Sequence, residues 1–259
     1  MQQFNNARKM KTALVTGASS GIGRATAVAL AQAGFRLVIT GRRRERLQEL
    51  AAELAPAPVH ILTFDVRDRA AAIAAVKSLP EAFRQIDVLI NNAGNAHGLA
   101  PIQEGDPNDW DLMLDSNVRG LLNVTHAVLP LMQERRSGFI VNIGSIAGHE
   151  AYANGNVYCA SKAAVASLSK GMRLDLISLG IRVAEVNPGA VETEFSAVRF
   201  KGDAERAAKV YQGFEPLKPE DVAEVIQFMV TRPPHVTISE VTILAGAQAA
   251  ATTIVKQPV

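Results

Sequence analysis

The sequence predicts an α/β fold in which a doubly wound parallel sheet of about seven strands has helices on both faces. Short apolar runs alternate with longer segments of helical periodicity along the 259 residues. The runs are apolar at nearly every position, which is typical of strands that are covered on both faces. Parallel strands joined by right-handed helical crossovers satisfy this pattern. The chain has no linker or internal repeat, so residues 1–259 are predicted to form a single domain.

The individual elements follow from local composition and spacing. Each predicted strand is a short run rich in Val, Ile and Leu, and each predicted helix has apolar residues three or four positions apart. The strands are expected at residues 12–17, 35–41, 59–66, 86–94, 138–145, 181–189 and 239–244. The helices are expected at residues 21–34, 42–54, 70–79, 106–136, 156–179 and from about Pro219 onward.

Capping and turn residues set the ends of the two longest helices. Asp106 can cap the first of them, and Pro107 suits its first turn. Pro130 lies inside the same helix and is expected to kink its later part. Gly180 follows the second long helix and is expected to end it.

The segment 190–215 is the least regular part of the sequence and follows the sixth predicted strand. In doubly wound sheets, ligands bind in the crevice outside the carboxyl ends of the strands. We therefore predict that this segment is a lid over a substrate.

Composition and charge exclude several classes of protein. The net charge is only +2, and the arginine clusters are interleaved with acids or set apart, so no continuous basic face for nucleic acid is expected. No apolar run reaches the ~18 residues of a membrane helix, and the N-terminal segment MQQFNNARKMK lacks the apolar core of a secretory signal. The single cysteine, Cys159, favours a reducing cytoplasm and is expected to be a buried small apolar residue. No His, Cys and acid cluster has metal-site spacing.

The stretch TGASSGIG at 16–23 joins the first strand to the first helix and predicts a site for a dinucleotide cofactor. Its glycines permit a sharp turn and a close backbone approach, and the helix N-terminus offers N–H groups and a positive dipole end to a pyrophosphate. The spacing is G-x-x-x-G-x-G rather than G-x-G-x-x-G, so an ordinary glycine turn is the alternative. The expected cofactor contacts in this loop are Gly17, Ser19, Ser20, Gly21, Ile22 and Gly23.

The end of the second strand indicates which dinucleotide is bound. An NAD site usually has an acid there, whereas an arginine suits the 2′-phosphate of NADP. The strand ends in ITGRRR, without an acid, and Arg42 and Arg43 are predicted to bind the phosphate. A solvated helix start is the alternative, although acids are favoured at that position. The sequence thus predicts NADP.

Further cofactor contacts are expected at the ends of the third and fourth strands. Asp65 and Val66 are predicted to contact the adenine, and Asn91, Ala93 and Gly94 to lie beside a ribose. Ordinary strand-end turns have a similar composition, so these five positions are weak predictions on their own.

Four polar residues form a candidate catalytic group. Tyr158 and Lys162 lie four apart in a predicted helix, about 5–6 Å apart at Cβ. The ammonium is expected to lower the pKa of the phenol from its usual ~10, which would make it an acid and base near neutrality. Ser145 at the end of the fifth strand is placed to bind the same substrate oxygen. Asn117 lies in the first long helix, where asparagine is a poor helix former, and an irregular turn there is expected.

These motifs together resemble the short-chain dehydrogenase/reductase family. The resemblance covers nearly the whole chain and rests on the motifs TGASSGIG, NNAG (91–94), Asn117, Ser145, YCASK (158–162) and NPGAVETEF (187–195). It implies a Rossmann-type fold and hydride transfer between a nicotinamide and a carbonyl or alcohol.

The resemblance also implies residue roles. It makes Tyr158 the general acid/base, with Ser145 fixing the substrate oxygen and Asn117 supporting a proton relay. Lys162 would bind the nicotinamide ribose and lower the pKa of the tyrosine. The segment that begins at residue 188 would lie near the nicotinamide, and its implied cofactor contacts are Pro188, Gly189, Val191 and Thr193.

A narrower resemblance concerns the substrate. The segments GRRRERLQEL (41–50), GNVYCASK (155–162) and TEFSAVRFKGD (193–203) are similar to the NADP-dependent 3-hydroxy acid dehydrogenases that oxidise serine and related acids. Arg199 or Lys201 would then bind the substrate carboxylate, and His97, His149 and Tyr152 lie in loops expected to face the pocket. An NADPH-dependent 3-ketoacyl-thioester or other carbonyl reductase is one alternative. A catalytically silent NADP-binding sensor is another.

The helix at 156–179 is apolar over too wide an arc for a simple surface helix. One face carries the catalytic pair, and Val165, Leu168, Met172 and Leu176 lie elsewhere around it. Because one sheet covers only one side, we predict a homo-oligomer through this helix and the helix at 106–136. The family resemblance implies a tetramer.

Overall fold

A parallel sheet of seven strands forms the centre of the molecule, which a computed structural model describes for residues 10–257. The strands are β1 (Thr12–Thr16), β2 (Arg36–Gly41), β3 (Val59–Thr63), β4 (Ile86–Asn91), β5 (Gly138–Ile143), β6 (Ile181–Pro188) and β7 (Glu240–Ile243). They are arranged in the order β3-β2-β1-β4-β5-β6-β7, with every neighbouring pair parallel. The predicted fold class is confirmed. The prediction that the N-terminal segment is no secretory signal rests mainly on residues 1–9. These residues lie outside the described part of the chain.

The helices cover both faces of this sheet. They are α1 (Gly21–Gln32), α2 (Arg44–Glu53), α3 (Arg69–Lys77), α4 (Pro107–Leu114), α5 (Gly120–Arg135), α6 (Asn156–Leu176), α7 (Phe195–Arg199), α8 (Ala204–Lys209) and α9 (Pro219–Thr231). Helices α7 and α8, which precede α9, lie within the segment 190–215. Among the described residues, no helix is both long and apolar enough to cross a membrane.

The core consists of two apolar layers, one on each face of the sheet. In β1, Ala13 and Val15 belong to the layer formed with α1, α2 and α9. Leu14 points to the other face and belongs to the layer formed with α3, α5 and α6. Because successive strand residues point to opposite faces, a strand between two such layers must be apolar throughout.

The chain reverses its direction of winding between β1 and β4, which are neighbours in the sheet. This opens a crevice at the carboxyl ends of these strands. Thr16 joins the two strand ends, because its Oγ1 accepts hydrogen bonds of 2.9 Å from the backbone N–H groups of both Asn92 and Ala93. The glycine loop after β1 and the NNAG segment after β4 are therefore held side by side.

The long helix predicted at 106–136 is interrupted by a π-helical turn at Asp115–Arg119. Asn117 lies in that turn, as expected for an irregular position. The interruption is thus in the middle of the segment, and α5 continues through Pro130 to Arg135. The prediction for the second long helix is confirmed at its end, where Gly180 adopts a left-handed φ of +72°.

Candidate active site

Helix α6 brings Tyr158 and Lys162 to the end of β5, where Ser145 follows the strand. Both α6 side chains are buried, with 8% and 7% of their surface exposed. The Nζ of Lys162 donates a 2.9 Å hydrogen bond to the carbonyl oxygen of Ile143. The Ser145 hydroxyl forms a hydrogen bond with the Tyr158 phenol. The structure thus brings the three predicted residues together.

The pKa of the Tyr158 phenol is raised well above its usual value, contrary to our prediction. Burial is the largest cause and is reinforced by the neighbouring Tyr152 phenol, while the Ser145 hydrogen bond and the Arg199 charge act in the opposite direction. Burial also lowers the pKa of Lys162 to about 8, against the effect of Glu185, which raises it. The structure therefore favours a neutral phenol, ready to donate a proton, beside a lysine that titrates near neutrality.

Asn117 connects the π turn to the NNAG segment and to α6. Its Nδ2 donates to the backbone oxygen of Asn95 at 2.8 Å and to Oγ of Ser161 at 3.0 Å. Its Oδ1 accepts a 2.8 Å hydrogen bond from the Asn95 N–H. A Cβ on Gly94 would lie 2.8 Å from that Oδ1 and 3.8 Å from Nζ of Lys162, so only glycine fits between the two side chains.

The glycine loop has the shape that a close phosphate contact requires. Gly17 and Gly21 have positive φ values of +66° and +51°, which glycine adopts without strain. A Cβ on Gly23 would overlap the backbone oxygen of Gly17 and the side chain of Asn92. Backbone conformation or close packing therefore excludes side chains at these three positions. The loop leads into the first turn of α1, which contains Ile22 and whose backbone N–H groups suit an anion.

The two predicted 2′-phosphate arginines differ in their surroundings. Arg43 lies on the glycine loop, where its Nη2 donates to Oγ of Ser20 at 2.8 Å and of Ser19 at 3.1 Å. Arg42 lies 3.8 Å from Asp65 and is largely exposed. Arg43 is thus the arginine that the fold joins to the nucleotide loop.

Glu194, in the predicted lid, contacts two arginines of the region after β2. Its carboxylate accepts from Arg43 at 3.0 Å and from Arg46 at 2.7 Å. A carboxylate between two guanidinium groups marks a place that suits an anion. Neither Glu194 nor Arg46 is a predicted site residue, because their pairing joins segments about 150 residues apart in the sequence.

The remaining predicted cofactor residues, at the ends of β3 and β4, differ in their surroundings. Ala93 and Gly94 lie in the crevice, as described above, and Val66 packs against Gly120. Asp65 is engaged by Arg67, whose guanidinium lowers the pKa of that carboxyl through hydrogen bonds as short as 2.7 Å. Asn91 lies in the interior, where its Nδ2 donates to Thr125 and Asn142 at 2.9 Å each.

The segment after β6 passes across the crevice. The Thr193 methyl group lies 3.2 Å from where a Cβ on Gly21 would be. Pro188 presents its carbonyl to Ser145 at 3.5 Å. Val191 forms a bridge with Leu217, and a Cβ on Gly189 would overlap Gln248. Thr193 and Pro188 thus link the glycine loop to the catalytic residues.

A pocket of about 130 Å³ lies beside Tyr158 and is lined by His97 and Arg199, among others. The Arg199 guanidinium carbon lies 5.5 Å from the centroid of the Tyr158 ring. Its Nη1 donates to the Tyr152 hydroxyl at 2.9 Å and its Nε to the Gly98 oxygen at 3.1 Å. Its Nη2 is buried and has no hydrogen-bond partner among the described residues.

The other predicted substrate residues are placed differently. Lys201 is exposed and pairs with Asp109 at 3.0 Å, so its charge is already balanced by a carboxylate. His97 lines the pocket, and burial lowers its pKa, which favours the neutral imidazole. Tyr152 contacts Arg199, whereas His149 lies 3.6 Å from Glu240, away from the pocket lining. Cys159 is buried, as predicted.

The arrangement of a glycine loop, a serine, a tyrosine and a lysine at one sheet edge agrees with the comparison against family models. The model of the short chain dehydrogenases matches residues 11–204. The chain belongs to this family. The match covers the sheet from β1 to β6, the candidate catalytic residues and the first part of the predicted lid.

Individual relatives match over nearly the full length of both chains. The chain is 47% identical over 238 residues to sulfoacetaldehyde reductase 2 of Chromohalobacter salexigens, covering 91% of this chain and 94% of that one. It is also 47% identical over 238 residues to an NADP-dependent 3-hydroxy acid dehydrogenase of Salmonella typhi, covering 91% and 95%. A closed form of serine dehydrogenase complexed with NADP⁺ superposes with a TM-score of 0.90, at 45% identity, covering 95% of this chain and 100% of that one.

The chain is therefore an NADP-dependent oxidoreductase of the short-chain dehydrogenase family, and the predicted NADP cofactor is confirmed. The structure fits the cofactor, because glycines with positive φ form a close turn before α1 and Arg43 lies beside that turn. When bound, the nicotinamide would supply or accept a hydride. The enzymatic activity argues against the alternative of a catalytically silent sensor.

Proposed function

We propose that this enzyme interconverts a small 3-hydroxy acid and its 3-oxo form with NADP(H). The observation that carries the proposal is the placement of Arg199, which lines the small pocket beside Tyr158 and whose buried Nη2 lacks a partner among the described residues. A carboxylate would supply the missing acceptor in a charge-assisted hydrogen bond. Lys201 is a weaker candidate for this role, because Asp109 already neutralises it.

The chain's own side chains have separate tasks in the proposed reaction. Tyr158 holds the proton that is given to, or taken from, the substrate oxygen, and Ser145 binds the same oxygen through its hydroxyl. Lys162 places a positive charge behind Tyr158 and Ser145. Asn117 holds the adjacent residue of α6, Ser161, through a hydrogen bond. Arg199 orients the acid group of the substrate, so that the reacting carbon lies at Tyr158.

Pocket size supports a small substrate. The volume of about 130 Å³ is smaller than the roughly 300–1,000 Å³ of most small-molecule pockets. That space suits an acid of a few carbon atoms better than an acyl thioester. The alternative of a 3-ketoacyl-thioester reductase is therefore less well supported than a hydroxy acid dehydrogenase.

A short hydroxy sulfonate is a second candidate substrate. The similarity to a sulfoacetaldehyde reductase favours it, and a guanidinium binds a sulfonate as it binds a carboxylate. In both compounds one carbon atom separates the acid group from the carbon that reacts. The same Arg199 contact would therefore position either substrate at Tyr158.

The decisive experiment is NADP⁺ reduction with a substrate panel, followed by absorbance. The panel contains L-serine, allo-threonine, 3-hydroxypropionate, 3-hydroxyisobutyrate, 2-hydroxyethanesulfonate and a neutral secondary alcohol, with NAD⁺ as the control. Preference for the carboxylic acids supports the first proposal, and preference for the sulfonate supports the second. Activity on the neutral alcohol alone would refute both.

A variant tests the assignment of the acid/base residue. Tyr158→Phe removes the phenolic oxygen and keeps the ring that packs against Phe195. We expect turnover to fall by at least about a hundredfold, since acid–base catalysis contributes about 10²–10⁴-fold. Binding of NADP⁺, measured by fluorescence titration, should be retained. Turnover close to that of the wild type would contradict the role of Tyr158.

We also propose that the enzyme is a homotetramer of the reducing cytoplasm. Leu122 on α5 and Leu174 on α6 are exposed, the latter at 79%. Ile177, which follows α6, is 63% exposed. These apolar side chains lie on or beside the two helices predicted to form an interface. Light scattering after gel filtration tests this, and a monomeric mass would refute it.

A further inference from the structure

Glu185 is a buried acid that the proposed reaction does not use. It lies inside β6 with 1% of its surface exposed, and its Oε1 has no hydrogen-bond partner within residues 10–257. Carboxylates are rarely buried without a paired charge, because ionisation in a low-dielectric interior is costly. The position of Glu185 therefore calls for a physical explanation.

The sheet register places Glu185 in a row of polar residues that crosses four strands. Asn91 of β4 pairs with Asn142 of β5, Asn142 with Glu185 of β6, and Glu185 with Glu240 of β7. Residues paired in this way point to the same face of a sheet. Asn142 donates a 2.9 Å hydrogen bond to Ser169 of α6, so this face is the one that α6 covers.

The carboxylate of Glu185 lies at the end of β5, beside the backbone that Lys162 contacts. A Cβ on Gly144 would overlap Oε1 of Glu185, so this oxygen lies against the backbone of Gly144. The preceding residue, Ile143, provides the carbonyl that accepts the hydrogen bond from Nζ of Lys162. The acid and the ammonium thus approach the same short stretch of backbone at the end of β5.

We propose that Glu185 is a positioning residue that acts through Lys162, because its buried carboxylate keeps the lysine charged at the active site. This inference rests on the proposed function, in which the charge of Lys162 acts on Tyr158. Burial alone lowers the pKa of Lys162, and the carboxylate of Glu185 is the group that raises it again. Without this acid, Lys162 would lose its proton at a lower pH.

The groups facing Glu185 decide how much charge it carries. Burial raises the pKa of Glu185, and Glu240 on β7 adds to that effect. His149 after β5, together with Lys162 and Lys170 of α6, lowers it. Removal of the charge of Glu240 should therefore make Glu185 more acidic, so that the carboxylate facing Lys162 stays charged.

The test is a direct titration of Lys162 in the full-length protein. Lysines carrying ¹³C at Cε are followed by NMR against pH, and the Lys162 signal is assigned by its loss in Lys162→Arg. We expect a midpoint near 8 in the wild type and a midpoint lower by at least about half a pH unit in Glu185→Gln. Glu185→Asp, which keeps the charge, should restore most of the shift, and Glu240→Gln, which leaves Glu185 in place, should not lower the midpoint.

Each outcome decides the inference. An unchanged midpoint in Glu185→Gln, or an equal lowering in Glu240→Gln, would overturn it. If Glu185→Gln does not fold, Glu185→Leu, which removes the charge without leaving a buried amide, replaces it: a lowered midpoint supports the inference, and an unchanged or raised one overturns it. In the active enzyme, the alkaline limb of kcat/KM against pH should move with the NMR midpoint, a change that a purely structural role of Glu185 would not produce.

This design separates the inference from the proposed function. The NMR midpoint is measured without turnover. Failure of every substrate in the panel, or turnover that survives Tyr158→Phe, would overturn the proposed function and leave the titration interpretable. Conversely, if the enzyme is active and Glu185→Gln leaves the Lys162 midpoint unchanged, only the inference is overturned.

Discussion

Replacement of Arg199 by methionine tests whether this guanidinium selects acidic substrates. Methionine keeps a long apolar side chain beside Tyr152 and Tyr158 and removes the charge. The change also removes the hydrogen bonds that Arg199 donates to Gly98 and Tyr152. Some activity should therefore be lost with every substrate, and the informative quantity is the ratio of kcat/KM for an acid to kcat/KM for a neutral alcohol.

The size of the expected change follows from the contact that the free Nη2 would make. A hydrogen bond to a charged group contributes about 1.5–3 kcal/mol. Because about 1.4 kcal/mol corresponds to a factor of ten, the acid-to-alcohol ratio should fall by about 10- to 150-fold. Arg199→Lys should lie between the two enzymes, since lysine keeps the charge and loses the planar fork.

Lys201→Met is the matched control for this experiment. Lys201 is the other cation of the predicted lid, but it is exposed and paired with Asp109. Its replacement should leave the acid-to-alcohol ratio within about threefold of the wild type, as expected for an exposed ion pair worth about 0–1 kcal/mol. Steady-state kinetics of all four enzymes with 3-hydroxypropionate and a neutral alcohol provide the ratios. An equal loss on both substrates in Arg199→Met would refute the role of Arg199.

Three further predictions concern the cofactor and the effect of pH. Arg43→Ala should raise the Kd of NADP⁺ by about 10- to 100-fold, because one charged contact is lost. The Kd of NAD⁺ should stay nearly unchanged, and a calorimetric titration measures both. Because the pKa of Tyr158 is raised, oxidation should accelerate with pH well beyond neutrality while reduction is fastest at lower pH, and a flat profile for oxidation would contradict this. The pKa of Lys162 falls from 10.5 to about 8 on folding, so the wild type should gain about 2–3 kcal/mol over Lys162→Met between pH 8 and 10.5; urea denaturation at both pH values measures this gain.

The fold follows from the sequence because its signals are local. The continuous apolar runs at 12–17 and 35–41 mark strands between two apolar layers, whatever their neighbours are. The same holds for Gly17 and Gly21, whose positive φ values belong to a short glycine turn. These features are properties of a short segment and need no knowledge of the rest of the molecule.

The choice between neighbouring charged residues does not follow from the sequence. Arg199 and Lys201 are two residues apart, yet Arg199 lies under Tyr152 and Lys201 reaches Asp109 at the surface. The pKa of Tyr158 is a similar case. The spacing to Lys162 predicts a lowered value, but the extent of burial reverses the direction, and burial is set by Phe195 and other residues distant in sequence.

Glu185 shows most clearly why a site extends beyond its motif. In the segment IRVAEVNPG, the sequence pattern alone does not distinguish a buried Glu185 from an acid that points to solvent. Only the pairing of β6 with β5 and β7 shows that Asn142 and Glu240 flank it on a covered face. A charge there affects Lys162 because the low-dielectric interior screens it weakly. The residues that tune a catalytic lysine are thus set by strand register, and a search for them in related enzymes should follow the sheet rather than the motif.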